Sequence, residues 1–346
     1  MDTNRDRVDG IEVDGVTTWF VAHVPDVRPP LAFSLIAGGH SNLTYTVTDA
    51  DGRRWVLRRP PLGHVLATAH DMGREHRIIA ALAATDVPVP LAIGLCGDES
   101  VTGAPFYVMG YVDGHTMWGP REVEATLDKE ARWHAGEALI DVLARIHAVD
   151  PNAVGLGNLG RKEGYVERQL RRWHRQWRES KTRELALIDE VHDRLMAEVP
   201  AQGPATIVHG DYRLDNCLVD GQGEVLAVLD WEICTLGDPL ADVGILHVYW
   251  TEPDDPAGAL LGAPTTVPGF PTRADLMRWY AERSGRELTG IDFYVAFAYW
   301  KLACILEGVY ARYRAGVMGE LDGFEDFADR VVWLAESAHD ALGRRP

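Results

Sequence analysis

His209-Gly210-Asp211-Tyr212-Arg213-Leu214-Asp215-Asn216 is a polar stretch enclosed by apolar ones. Ile207-Val208 leads into it, and Leu218-Val219 and Val225 to Leu229 flank an Asp220-Gly221 turn before the chain reaches Asp230-Trp231-Glu232. Short apolar runs on either side of an Asp-Gly pair predict a tight hairpin. The reversal can return Asp230 to the side of Asp211 and Asn216, which gathers two carboxylates and an amide. Oxygen ligands of this kind suit a hard cation such as Mg²⁺, which keeps part of its water and completes its shell with phosphate oxygens. The stretch therefore predicts a metal–nucleotide site.

Working outward, Thr44-Tyr45-Thr46-Val47-Thr48 and Arg54-Trp55-Val56-Leu57-Arg58 have the β-branched and aromatic content of strands, joined at Asp51-Gly52 and closed by Pro60-Pro61. Met72, Glu75, Ile78, Ile79 and Leu82 recur at helical spacing within Thr68 to Ala84, and Val87-Pro88-Val89-Pro90 stops that helix. Two more strands are expected, around Ile93 and at Phe106-Tyr107-Val108-Met109. Downstream the period is helical, with one stripe at Leu139, Ile140, Leu143 and Ile146 and another at Val166, Leu170, Trp173 and Trp177. Pro and Gly crowd Pro253 to Pro271, which predicts a long surface loop.

The pattern H-G-D-x-x-x-x-N, followed after a hairpin by a further Asp, resembles the catalytic loop of the aminoglycoside phosphotransferase and choline kinase superfamily, small-molecule kinases with a protein-kinase-like fold. His209, Gly210, Asp211 and Asn216 match it position by position, and Asp230 takes the later role. Gly237-Asp238-Pro239-Leu240-Ala241-Asp242 resembles the family's G-D-P-x-x-D element, whose aspartates brace the loop. The fuller runs HGDYRLDN, VLAVLDWE and TLGDPLAD are similar to the branch that includes kinase-like domains fused to acyl-CoA dehydrogenases. The resemblance extends from about Leu31 to about Val317. It implies an α+β fold of two lobes, with a mostly β nucleotide-binding lobe carrying one inserted helix at residues 1–112. A mainly α catalytic and substrate-binding lobe would follow at residues 113–346.

The same resemblance implies a phosphotransferase with an alcohol group as acceptor. Asp211 would be the catalytic base, Asn216 and Asp230 the Mg²⁺ ligands, and ATP or GTP the co-substrate. Ser41 and Asn42, in the turn Gly38-Gly39-His40-Ser41-Asn42, would cover phosphates. Met109, Gly110, Tyr111 and Val112 would form the strand end and linker that read the adenine edge. Arg58 stands where the family has Lys, and Glu75 lies on the following helix as its ion-pair partner. The guanidinium fork suits phosphate and carboxylate but is not interchangeable with an ammonium. This departure, with Gly110 where many relatives have Glu, motivates an alternative, a degraded kinase fold that binds nucleotide or a partner without phosphoryl transfer. A metal-dependent hydrolase built on Asp211, Asp215 and Asp230 leaves the glycine turn and the Arg58 to Glu75 spacing unexplained. Glu232, Tyr249, Trp250, Glu307 and Tyr310 are candidates for lining an acceptor pocket.

With 346 residues, 46% of them hydrophobic and 25% charged, the chain is long enough for two globular units with full cores. A formal net charge of −18 opposes binding to nucleic acid, which needs a basic surface. Most of that excess falls after residue 112 and favours a cationic small substrate, whereas Arg168, Arg171, Arg172, Arg175 and Arg178 on one predicted helix would suit an anionic acceptor. Cys96, Cys217, Cys234 and Cys304 lie far apart, with no secretory signal, so reduced thiols and a cytoplasmic location are expected. The most apolar helical stretch, Ile291 to Leu306, is interrupted by Lys301 and predicts no membrane span. The expected partner is a small hydroxylated molecule, with neither nucleic acid nor membrane involved.

Overall fold

The computed structural model describes residues 8–36, 42–62, 71–255, 262–316 and 326–343. The chain forms two compact units, residues 1–114 together with 226–232, and residues 115–225 together with 233–346.

The first unit is built on a five-stranded antiparallel sheet. Its strands are β1 (Ala32–Leu35), β2 (Leu43–Thr48), β3 (Arg54–Arg59), β4 (Ala92–Cys96) and β5 (Phe106–Gly110), in the order β1-β2-β3-β5-β4. Tyr45 pairs with Leu57, and Leu57 with Val108, so these side chains share one face and are buried together. Helix α1 (Val13–His23) supplies Val16, Trp19 and Phe20 to the core on that face, which also holds Val47, Trp55 and Phe106. The sequence patterns above do not anticipate α1, because Gly15, Thr17 and Thr18 are poor helix formers. Helix α2 (Met72–Leu82) begins at an Asp71 cap, whose side chain accepts from Arg74 N, and it buries Met72, Glu75, Ile78, Ile79 and Leu82.

The second unit is mainly helical. It contains α3 (Pro120–Thr126), α4 (Lys129–Ala148), α5 (Tyr165–Ser180), α6 (Ala186–Ala197), α7 (Leu240–Tyr249), α8 (Arg273–Ser284), α9 (Ile291–Arg314) and α10 (Asp326–Gly343). The two predicted stripes are buried, Leu139, Ile140, Leu143 and Ile146 on α4 and Val166, Leu170, Trp173 and Trp177 on α5. Helix α9 lies against α5, α7 and α10. Its crossing with α7 is close, because a Cβ on Gly244 would stand 2.4 Å from Tyr294 O. Short strands β6 (Thr206–Val208) and β9 (Thr235–Gly237) pair antiparallel, with Ile207 opposite Leu236. Between them run a 3₁₀ turn at Leu214–Asn216, β7 (Cys217–Val219) and β8 (Val225–Val228). The Asp220 turn is closed by Asp220 N donating to Glu224 O at 3.1 Å. All four cysteines are free and buried. Among the described residues no helix is long and apolar enough to cross a membrane.

Candidate active site

The loop after β6 is held by directional hydrogen bonds inside the helical unit. Asp242, on the first turn of α7, is fully buried and accepts from two consecutive backbone groups, His209 N and Gly210 N, each at 2.7 Å. His147 of α4 shares a third contact through Nε2 at 3.2 Å, and its Nδ1 lies 2.7 Å from the Tyr280 hydroxyl. Burial alone would raise the Asp242 carboxyl, but His147, the neighbouring His209 and the Gly210 N–H more than offset it, and the group sits below its usual range. Asp238 ties neighbouring elements together, accepting from Leu240 N at 3.1 Å and from the Tyr294 hydroxyl at 2.7 Å. Tyr212 anchors the loop to α4 by donating to Leu139 O at 2.7 Å.

This frame presents Asp211. Its backbone N–H donates to His209 Nδ1 at 3.3 Å. Its carboxylate accepts from Asn216 Nδ2 at 2.9 Å, and the same amide nitrogen reaches Asp211 O at 2.8 Å. Both of these Asn216 contacts are thus made through its amide nitrogen. Arg213 bridges two carboxylates, with Nε 3.4 Å from Asp211 and a terminal nitrogen 3.0 Å from Asp215, while its guanidinium lies 4.5 Å from the Tyr249 ring centroid. Burial pushes the Asp215 carboxyl up to about 6 despite Arg213.

A cavity of about 500 Å³, counted with its open mouth, adjoins these groups. Trp118, Arg213, Asp215, Tyr249, Trp250 and Pro264 line it. Trp118 is 47% exposed, an unusual position for an indole, and it offers an apolar face at the rim. The expected Tyr249 and Trp250 thus come together beside the loop. Glu307 and Tyr310 do not line the cavity. Glu307 is fully buried on α9, where it accepts from Thr182 N and Oγ1 at 2.7 and 2.9 Å and pairs with Arg183 at 3.3 Å. Tyr310 lies under the Arg183 and Arg314 guanidinium groups. Arg171, Arg172, Arg175 and Arg178 stand exposed on α5.

The first unit carries the remaining predicted residues. Segment 226–232 is fastened to it by Val228 N donating to Pro88 O at 2.9 Å, and Trp231 Nε1 then donates back to Val228 O at 3.0 Å. Asp230 has a left-handed backbone, φ +60°, uncommon for a residue other than glycine, though Asp is among the side chains that adopt it more readily. Its Oδ1 lies 2.9 Å from a terminal nitrogen of Arg58, whose Nε is 3.2 Å from Glu75. Glu232 approaches the same guanidinium at 4.0 Å and accepts from Asn42 Nδ2 at 3.1 Å. Burial opposes the Arg58 charge, but Glu75 and the neighbouring acidic groups outweigh it and hold the guanidinium firmly protonated. Burial raises the Glu75 carboxyl even though Arg58 pulls it down. Three acidic side chains thus surround the Arg58 guanidinium, and Arg74 stands beside them, donating to Glu232 O at 3.2 Å.

At the strand end, Gly110 N donates to Leu91 O at 2.8 Å and Val112 O accepts from Gly114 N at 3.1 Å, so those two linker groups are engaged within the unit. Met109 is buried in the sheet, and the Arg54 guanidinium stacks 3.9 Å above Tyr111. Ser41, with Gly38, Gly39 and His40, lies outside the described residues.

The matched residues fall in two units, and each half is organised around the motif that predicted it. Residues 32–276 match the model of the phosphotransferase enzyme family. The chain belongs to that family. Within it, the chain is 32% identical to a Ralstonia eutropha protein assigned to the aminoglycoside phosphotransferases, with a TM-score of 0.80 over 96% of this chain and 98% of that one. It is 39% identical to acyl-CoA dehydrogenase family member 10 of Mus musculus over 80% of its length, and 30% identical to family member 11 of Rattus norvegicus over 97%. It spans only 26% and 44% of those two relatives. The amicoumacin kinase solved with AMP-PNP and Ca²⁺ shares the fold, at a TM-score of 0.60 and 17% identity. The two-lobed α+β architecture is thus the family's.

Sequence reasoning identified Asp242 only through the G-D-P-x-x-D pattern and missed its partner His147. It also missed Arg213, Tyr107 and Lys301. Tyr107 is fully buried beside Glu75. A lysine interrupting the apolar run from Ile291 to Leu306 was the signal that could have found Lys301.

Proposed function

We propose that the chain is a small-molecule kinase that transfers the γ-phosphate of ATP or GTP to a substrate hydroxyl with Mg²⁺. The observation that supports this reading best is Asp211, held by Asn216 and Arg213 on a braced loop at the edge of an open cavity. In its own unit Asn216 would offer an amide oxygen, and in its own unit Asp230 would offer a second carboxylate oxygen beside the one on Arg58; each is a donor of the kind a hard cation takes. Such an ion supplies neutralisation of charge on the phosphate oxygens. Arg58 would face phosphate with its terminal nitrogens while Glu75 holds its Nε. Trp118, Tyr249 and Trp250 would seat the acceptor so that its hydroxyl points at Asp211. The acceptor oxygen then bonds to the γ-phosphorus, the bond to the β-phosphate oxygen breaks, and the hydroxyl proton passes to Asp211.

A second reading has one observation in its favour. Asp230 is already paired with Arg58 at 2.9 Å, and a fold that kept this pair closed would bind without transferring phosphate. A screen of hydroxylated metabolites for ADP release from Mg·ATP, run beside Asp211→Asn, separates the two. Acceptor-dependent ADP release that is lost in the variant supports the kinase. Its absence across the screen, with nucleotide still bound, supports the second reading.

A further inference from the structure

Lys301 of α9 is 6% exposed and lines a small space together with Tyr165, Ile245, Phe297 and the carboxylate-bearing Asp242. Its Nζ donates to Gly210 O at 2.9 Å and stands 5.8 Å from the Trp173 ring centroid. Burying an ammonium is costly, and here burial outweighs the nearby carboxylates of Asp211 and Asp242. A methionine would fill the same space without that cost. The lysine therefore contributes something other than packing, and its hydrogen bond to Gly210 O shows where.

Gly210 has φ +88°, a conformation that favours glycine, and a Cβ there would stand 3.1 Å from Ile233. Asp242 fixes its N–H at 2.7 Å. The peptide unit that follows joins Gly210 to Asp211. It is gripped at its oxygen by Lys301 and at its nitrogen by His209 Nδ1, 3.3 Å away. Rotation of that peptide plane would swing the Asp211 carboxylate, and these two contacts oppose it.

We propose that Lys301 is a positioning residue that sets the aim of Asp211 by clamping the carbonyl of Gly210. The inference rests on the reading of Asp211 as catalytic base. The negative charges of Asp211 and Asp242 favour the ammonium, while burial and the nearby Arg172 oppose it and hold its pKa below the ordinary lysine value. The clamp thus lies within the charge balance of the loop it orients.

The test compares the full-length wild type, Lys301→Met, Lys301→Gln and Asp211→Asn. Phosphoryl transfer is followed as ADP release from Mg·ATP with the hydroxylated mixture, and hydrogen exchange is followed at the Gly210 and Asp211 amides. Lys301→Met is expected to lower kcat by up to about 10²-fold, the scale of a misplaced reacting group, with the nucleotide KM within about twofold. Exchange at the two amides should quicken at an unchanged Tm. Lys301→Gln, which keeps a donor, should fall between Lys301→Met and wild type in both readouts, and it decides alone if the methionine variant does not fold. Unchanged exchange at these amides overturns the proposal, as does a kcat within twofold of wild type when Asp211→Asn is inactive. If Asp211→Asn retains full turnover, the kinase reading fails and amide exchange alone judges the clamp.

Discussion

The loop around Asp211 and the cluster around Arg58 are held by different physics. The loop is fixed by short hydrogen bonds from buried partners: Asp242 on two backbone N–H groups, Tyr212 on Leu139 O, and Asn216 on Asp211. Such contacts depend on angle and leave one arrangement. The cluster is held by charge, one guanidinium among Glu75, Asp230 and Glu232 at 3.2, 2.9 and 4.0 Å. Charge is less directional, and its partners can be exchanged for others of the same sign, such as phosphate. A rigid half suits a group that must be aimed, and an exchangeable half suits a ligand that comes and goes.

The largest effect expected is on turnover. Asp211→Asn should lower kcat by roughly 10²–10⁴, the scale of a lost general base, while Tm stays near wild type. The asparagine still accepts from Asn216, so the loop survives. Steady-state rates and a melting curve on the same preparation check both halves of the statement, and near-normal turnover removes Asp211 from the chemistry.

Asp242→Ala tests the rigid region from beneath. It strands two backbone N–H groups and His147 in the core and should cost about 3–5 kcal/mol of stability, as a broken buried network does. Since the folded Asp242 carboxyl lies below its unfolded range, its contribution is present at neutral pH and is lost as pH falls below the unfolded value. Denaturant titrations at neutral and acid pH should therefore show the wild-type advantage shrinking on acidification.

Arg58→Met tests the charged region, and the sign reverses. Glu75 is 2% exposed and its carboxyl is already raised by burial, so without Arg58 it rises further. Below the unfolded glutamate pKa, about 4.3, the group is neutral in both states and contributes little. Above it the folded state must ionise a buried, unpaired acid, so stability falls as pH rises. The deficit should grow from near zero at pH 4 to about 3–5 kcal/mol at neutral pH, measured by denaturant unfolding across that range. A deficit independent of pH would mean that Arg58 acts through packing alone.

The motifs were legible because chemistry demands fixed residue types at fixed spacing, as in His209 to Asn216. Strands and stripes were legible because burial imposes a period. Contacts between distant segments were not. Arg58 and Asp230 are 172 residues apart, and their meeting depends on 226–232 joining the first unit, a return that local pattern does not encode. Lys301 stands out as a break in an apolar run, but its partner lies 91 residues earlier. Glu307 shows the converse: an acid in an apolar helix invites a ligand role, yet it is engaged by Thr182 and Arg183 inside the unit.

The smallest stability effect expected is at Asp230, and it separates aim from stability most cleanly. Asp230→Gly removes an ion pair whose carboxylate side is 30% exposed, a contact worth at most about 1 kcal/mol after solvent screening. It also relieves a left-handed backbone that costs an ordinary residue about 1 kcal/mol and glycine little. The two changes oppose each other, so Tm should move by no more than a degree or two. Glu75 keeps Arg58 in place throughout. Calorimetry with ATP should nevertheless lose its Mg²⁺-dependent component, because the carboxylate that the strained backbone aims is gone. A large drop in Tm would make Asp230 a structural ion-pair partner, and Mg²⁺-dependent binding that survives would move the cation site elsewhere.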